Sequence, residues 1–193
     1  MPIIAIDLPD YDFLHECFRY DAETGFLYWK ERPESHFTTT GGHIRFNNVF
    51  AGKRAGKANK KFRSLRISTI DPNKSFLEHR IIWKMETGKD PVDQIDHINN
   101  NRFDNRIKNL RECSVSENCL NRRSKKVGYK GVQLIKKSGT YAAYITYKGK
   151  IIRLGYWSTE EEAAEVYALA SKAFHGEFAN CKPKSSLTGE WVY

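Results

Sequence analysis

No stretch of the 193-residue chain approaches the ~18 consecutive apolar residues that a membrane-crossing helix needs, so no spanning segment is expected. The opening MPIIAIDLPDYDF lacks the positive flank and small-residue cleavage site of a secretory leader, and the expected location is the cytoplasm. The four cysteines, Cys17, Cys113, Cys119 and Cys181, include no C-x-x-C pair. That spacing argues against a zinc knuckle and against a disulfide framework, and the thiols are read as reduced. Acids are missing where bases are dense: 53–66 holds Lys53, Arg54, Lys57, Lys60, Lys61, Arg63 and Arg66 with no Asp or Glu. A second basic block, Arg122, Arg123, Lys125 and Lys126, follows further on. With a net charge of +9, such clusters suit contacts with phosphates, whose counterions they would release.

A hydrophobic content of 40%, with 13% aromatic residues, is enough to fill a core, and the length allows one generous domain or two small ones. The spacing of Phe13, Leu14, Cys17 and Phe18 fits a helix over 11–20, and 21–25 then reads as a turn into a strand at 26–29. The stretch 35–60, rich in Thr, Gly, Asn and Lys, reads as loop with one strand at 44–50, before a short strand at 62–67. A helix is predicted over 76–86, with Leu77, Ile81 and Met85 at spacing four and Gly88 to stop it. Between short apolar pieces at 92–95 and 110–113 lies the polar run 96–109, expected as a long loop between two strands, and such loops in compact domains tend to be functional. Ser114-Val115-Ser116-Glu117 has the S-x-x-E form of a capping box and predicts a helix over 115–123.

The chemistry-bearing residues gather around this polar run: Asp96 and His97 at its start, Asn109 at its end, Asn118 on the helix after it. Cleaving a phosphodiester takes a base that deprotonates water and a cation that stabilises charge on the phosphate. Histidine suits the first task, because its ordinary pKa of about 6.5 leaves it mostly neutral at pH 7. A hard cation wants oxygen ligands, which the Asp96 carboxylate and the Asn118 amide supply. Adjacent strand residues point to opposite faces, so Asp96 and His97 share a site only where the strand ends or bulges. His79 is read as a structural side chain on its helix, and Asn99, Asn100, Asn101, Asp104 and Asn105 as turn formers.

Asp96-His97-Ile98-Asn99, then Asn109-Leu110-Arg111, then Ser116-Glu117-Asn118 resemble the HNH, or ββα-metal, nucleases. Upstream, Tyr20-Asp21-Ala22-Glu23-Thr24-Gly25-Phe26-Leu27-Tyr28-Trp29 and Glu78-His79-Arg80-Ile81-Ile82-Trp83-Lys84 resemble the framework of phage-borne and intron-borne homing endonucleases. The resemblance implies His97 as general base, Asp96 and Asn118 as ligands of one Mg²⁺ or Mn²⁺, and Asn109 as a brace of the loop that presents His97. It also implies 5′-phosphate and 3′-hydroxyl products. The third position of the motif is Asn118 rather than His, which favours Mg²⁺ over Zn²⁺, and without paired cysteines no structural zinc is expected.

The stretch 125–127 reads as a basic linker, 128–182 as a second module and 183–193 as a tail, leaving 1–124 for the first domain. Three strands are predicted at 129–135, 141–147 and 150–157, then a helix capped by Thr159 and running through 174, with Ala163, Val166, Tyr167, Ala170 and Phe174 on one stripe. Tyr129-Lys130-Gly131-Val132, Tyr141-Ala142-Ala143-Tyr144-Ile145, Leu154-Gly155-Tyr156-Trp157 and Glu161-Glu162-Ala163-Ala164 resemble the plant ethylene-response-factor, or APETALA-type, DNA-binding domain. That family reads the major groove with its sheet. Alternation sets Tyr141, Ala143 and Ile145 against the helix and Ala142, Tyr144 and Thr146 outward. Outward DNA-contact candidates are Lys130, Gln133, Tyr144, Thr146 and Arg153, with Lys136 and Lys137 near phosphates. Where the plant domains place arginine this chain has Lys130, Gln133 and Ile151, so their target sequence does not transfer.

The expected architecture is α+β: a ββα-metal core with an N-terminal α/β elaboration, then a three-stranded antiparallel sheet on one helix. The expected activity is metal-dependent nicking of double-stranded DNA by a monomer or weak dimer, in a bacterial host cell if the chain is phage-encoded. Two rivals are a non-catalytic, sequence-specific DNA-binding regulator and a protein that binds or cuts RNA.

Overall fold

A computed structural model describes residues 7–122 and 128–181. The chain is α+β and forms two compact units, 1–114 and 115–193. The linker expected at 125–127, with Arg123, Lys125 and Lys126, and the tail expected at 183–193 lie outside the described residues.

In the first unit, helix α1 (Tyr11–Cys17) starts at Asp10, whose side chain accepts from the Asp12 N–H at 3.0 Å. It ends three residues earlier than its apolar spacing suggests, because the next residues pair edge to edge: β1 (Phe18–Asp21) runs antiparallel to β2 (Phe26–Trp29), with Phe18 opposite Trp29 and Asp21 opposite Phe26. The turn between them is closed by the Asp21 carboxylate, which accepts from the N–H groups of Glu23 and Thr24.

The strand expected at 44–50 is instead part of helix α2 (Thr40–Phe50), capped by the Thr39 hydroxyl at 3.1 Å from the Gly42 N–H. Helical spacing turns His43, Phe46 and Asn47 to one side. The His43 Nε2 and Asn47 Nδ2 lie 3.0 and 2.9 Å from the Arg32 carbonyl, and Phe46 meets Trp29 edge-on at 5.1 Å. Arg32 is itself buried, its guanidinium among aromatic rings including Phe37 and Phe46 and its Nη2 donating to the Thr69 hydroxyl at 2.7 Å.

Strands β3 (Lys57–Ala58), β4 (Arg63–Leu65) and β5 (Phe76–Leu77) form an antiparallel sheet in that order and lead into helix α3 (Glu78–Thr87). As expected, Gly88 stops the helix in a left-handed conformation. Strands β6 (Gln94–His97) and β7 (Leu110–Cys113) then pair antiparallel, with Asp96 opposite Arg111 and His97 opposite Leu110. The core carries Ile81 and Ile82 of α3 beside Ile95 of β6 and Leu110 of β7, so the hairpin bearing Asp96 and His97 is seated on buried apolar side chains.

The second unit begins with helix α4 (Val115–Asn121), followed by β8 (Val132–Ile135), β9 (Thr140–Tyr147) and β10 (Lys150–Trp157) in one antiparallel sheet with β9 central. Lys148 and Gly149 both have positive φ, as a two-residue hairpin turn requires. Helix α5 (Glu160–His175) carries the reciprocal Thr159–Glu162 capping box, and its Ala163 and Tyr167 pack on Ala143 and Ile145. On the face away from α5, the Ala142 methyl is covered by its register neighbours, the longer Gln133 and Tyr156. One expectation fails here. At the end of α5, Phe174 is exposed and His175 is buried, because the ring nitrogens of His175 engage the Ser171 hydroxyl and the Thr146 carbonyl. No disulfide joins the four cysteines, and no described helix is long and apolar enough to cross a membrane.

Candidate active site

Asp96 and His97 are not the start of the long loop, as the sequence suggested, but the last two residues of β6. Pairing explains the difference. The Arg111 guanidinium, opposite Asp96 on β7, donates from Nε at 3.0 Å and from Nη2 at 2.8 Å to Oδ2 of Asp96, so two polar side chains occupy strand positions without being orphaned. Both Asp96 and His97 are 6% exposed. His97, on the alternate position, brings its Nε2 to 2.9 Å from Oδ1 of Asn105, which is itself 1% exposed.

The loop 98–109 is held from inside. Asn109, at its end, accepts from the Asn99 N–H through Oδ1 at 3.0 Å, and its Nδ2 donates to Oδ1 of Asn99 and to the Asp104 carbonyl at 3.0 and 2.8 Å. Asp104 in turn accepts from Nδ2 of Asn99 at 2.7 Å and from the Arg106 guanidinium. Asn109 thus makes three hydrogen bonds across the loop, and His97 itself contacts Asn105, which its sequence context marked as a turn residue. Held from outside as well, the loop meets the first hairpin: the Tyr20 hydroxyl lies 2.8 Å from the Ile107 N–H, and a Cβ on Gly25 would stand 2.7 Å from the Asn105 carbonyl carbon. Glycine alone fits there. Position 25 also has φ of +72°, which glycine adopts without strain.

A second histidine completes the surroundings. His79, on α3, stands edge-on to His97, with ring centroids 5.1 Å apart and planes at 83°. Burial pushes the His79 imidazole down to about 3, with the charges of His97 and Arg80 acting in the same direction. Burial likewise lowers the pKa of His97, against the opposing pull of the Asn105 hydrogen bond and the Asp96 carboxylate. Both rings are therefore neutral at pH 7, and a neutral imidazole is able to take up a proton. Arg80 beside them donates to the Asp93 and Pro91 carbonyls at 2.8 and 3.2 Å, fixing the approach to β6.

The run from α3 through β6, the braced loop and β7 to α4 is the part that recurs elsewhere. Residues 76–120 match the HNH endonuclease family. Over 103 residues the chain is 35% identical to a protein of Acanthamoeba polyphaga mimivirus described as an uncharacterized HNH endonuclease, covering 52% of this chain and 54% of that protein. The chain thus spans about half the length of the curated relative it matches. No solved structure matches. Both findings support a nuclease, and the HNH segment contains Asp96, His97, Asn105, Asn109 and Asn118. Asn118 lies on α4 in the second unit and is half-buried.

Outside the HNH segment the basic residues divide. Lys53, Lys57, Lys60, Lys61 and Arg66 are exposed. Arg63 is not, contrary to its expected role at phosphates: its guanidinium is buried against Glu78 at 2.5 Å and donates to the Ala55 and Gly56 carbonyls. Burial pushes the Glu78 carboxyl up and Arg63 opposes it, so the arginine is engaged in compensating an internal charge. Arg54 is exposed but lies over the Phe26 ring. In the second unit Arg122, Gln133, Lys136, Lys137, Thr146 and Arg153 are exposed and Tyr144 is half-buried. Lys130 is a further correction: its Nζ donates to the Leu120 and Arg122 carbonyls at 2.5 and 3.0 Å, closing the end of α4, and its burial lowers its pKa.

Proposed function

We propose that this protein is a divalent-metal-dependent DNA endonuclease of the HNH type, with His97 as general base. The observation that carries the reading is the His97 imidazole: buried, kept neutral, and tied through Nε2 to Asn105 within a segment that matches the HNH family. Water loses a proton to His97, its oxygen attacks phosphorus, and the bond from phosphorus to the 3′ oxygen breaks. The departing oxygen takes a proton from solvent, which gives 5′-phosphate and 3′-hydroxyl ends.

Asp96 and Asn118 would hold one Mg²⁺ or Mn²⁺. The fit rests on donor chemistry: a carboxylate and an amide oxygen are hard ligands, and no group of three His, Cys, Asp or Glu gathers among the described residues. Mg²⁺ accepts such a sparse protein set because it keeps several waters and takes substrate phosphate oxygens. When bound, the ion supplies charge stabilisation at the phosphate and at the departing oxygen. Asn109 is the loop brace in this reading.

The substrate we propose is double-stranded DNA, gripped through Lys53, Arg54, Lys57, Lys60, Lys61 and Arg66 of the first unit and Arg122, Arg123, Lys125 and Lys126 after α4. The sheet of the second unit would add Gln133, Lys136, Lys137, Tyr144, Thr146 and Arg153, in the manner of the ethylene-response-factor domains. One such site per chain favours nicking by a monomer or weak dimer, in the host cytoplasm if the gene is carried by a phage. The test is incubation with supercoiled plasmid or structured RNA, in Mg²⁺ with and without EDTA. Nicking of the plasmid that EDTA abolishes is the expected result. Plasmid binding without cutting would favour a regulator, and cleavage confined to RNA would reassign the substrate.

A further inference from the structure

Helix α4 is held by polar rather than apolar contacts. Of its seven residues Asn121 alone is buried, while Val115 is 54% exposed and Leu120 is half-buried. A helix this short, without a buried apolar face, does not persist by itself, and its last carbonyls find no partner within the helix. Both needs are met from further along the second unit. Lys130 Nζ donates to the Leu120 and Arg122 carbonyls at 2.5 and 3.0 Å. Asn180 Nδ2 donates to the Asn121 carbonyl at 2.7 Å and reaches its Oδ1 at 3.4 Å, with both asparagines buried. An ammonium and an amide set against backbone carbonyls give up their hydration and regain it only through such bonds. Both anchors are fixed by the sheet-and-helix module. Gly131, next to Lys130, has φ of +76°, and a Cβ there would collide with the Tyr167 ring of α5 and the Tyr144 carbonyl of β9. Asn180 follows the turn Gly176–Phe178 at the end of α5, in which Phe178 is buried.

We propose that Lys130 and Asn180 are positioning residues of the nuclease: they seat α4, and with it Asn118, on the sheet-and-helix module, so that this module serves metal binding as well as DNA binding. The inference rests on the reading of Asn118 as a metal ligand. Asn118 lies within one helical turn of Leu120 and Asn121, so displacing the anchored carbonyls turns its amide as well. Mg²⁺ demands near-octahedral geometry at about 2.0–2.1 Å, and a loosened ligand helix is therefore felt first as weaker ion binding.

The experiment titrates the ¹⁵N-labelled full chain with Mn²⁺ alone and follows broadening of the Asn118 side-chain amide, assigned through Asn118→Ala. Lys130→Met keeps the apolar stem and removes the donor, Asn180→Ala removes the second anchor, and Lys130→Arg restores donors to the same carbonyls. The Mn²⁺ concentration for half-broadening should rise by about 10-fold or more in Lys130→Met and Asn180→Ala and stay within about threefold of the wild type in Lys130→Arg, the range usual for groups that orient a metal ligand. Half-saturating Mg²⁺ for plasmid nicking should rise in the same ratio, with excess Mg²⁺ restoring the rate. Hydrogen exchange at the Cys119, Leu120 and Asn121 amides separates this from a role in folding alone: faster exchange in α4 with an unmoved Mn²⁺ titration overturns the proposal. Should Lys130→Met fail to fold, Asn180→Ala and Lys130→Arg carry the test. If Mn²⁺ leaves the wild-type Asn118 signal sharp, the metal reading fails and the inference with it. If the wild type titrates and the folded variants match it, the metal reading stands and this inference alone fails.

Discussion

The Tyr20 hydroxyl accepts from the Ile107 N–H at 2.8 Å and donates to the Asn105 carbonyl at 3.3 Å, tying the first hairpin to the loop behind His97 across more than eighty residues of sequence. Replacing Tyr20 with Phe removes this tie while keeping the ring. We expect a stability loss of about 1 to 3 kcal/mol, the cost of leaving partly buried backbone groups unsatisfied, together with a lower nicking rate. Urea unfolding checks the first and plasmid conversion the second; an unchanged midpoint would show that solvent replaces the hydroxyl freely.

Gly25 and Gly88 share φ of +72° but differ in their surroundings: the first faces the Asn105–Arg106 peptide, and nothing lies within 4 Å of a Cβ at the second. Gly88→Ala should cost only the left-handed backbone strain, about 1 to 2 kcal/mol. Gly25→Ala should cost more, since backbone must also move. Thermal unfolding of the two variants side by side measures the difference, and equal losses would contradict the close approach.

Arg63 and Glu78 form an ion pair in which the carboxylate is fully buried. Arg63→Met strands that charge and should destabilise the protein by about 3 to 5 kcal/mol, whereas Arg63→Met with Glu78→Gln should recover a large part. Denaturant titration of single and double variants tests the coupling; additive losses would mean that the pair does not interact.

The pH dependence of stability follows from His79. Burial pushes its imidazole down to about 3 in the folded chain, against about 6.5 when unfolded. Between those values the unfolded chain binds a proton that the folded chain does not, so stability is complete above about 6.5 and is lost as pH falls toward 3. His79→Phe should flatten this limb by at most about 1.4 kcal/mol per pH unit. Urea midpoints at pH 7 and pH 5 for both proteins measure it, and parallel slopes would refute the assignment.

Much of this fold was legible because its signals are local. Ile81 and Met85 with Gly88 mark α3, although Phe76 and Leu77, expected at its start, pair as β5 instead, and Thr159 with Glu162 marks the start of α5. The hairpin around Asp96 and His97 was legible as two apolar pieces flanking a polar run, although its strand ran two residues further than hydrophobicity alone implied, since Arg111 makes Asp96 acceptable there. Helix α2 was missed because Gly41 and Gly42 look like loop and its inward face is held by hydrogen bonds to the Arg32 carbonyl rather than by an apolar stripe. Charge spacing did not separate Arg63 and Lys130 from exposed bases, because their partners come from distant or folded-back segments. Asn105 was read as a turn former, and its meeting with His97 was not legible for the same reason, since it depends on a loop path set by Tyr20 and Gly25.

If His97 is the base of a phosphodiester hydrolysis, single-turnover conversion of supercoiled plasmid in Mg²⁺ must depend on it, and His97→Ala measures that dependence. With folding verified by circular dichroism and DNA affinity measured in Ca²⁺, nicking should fall by about 100-fold or more while binding stays within a few-fold. Nicking by the folded variant at the wild-type rate would contradict it.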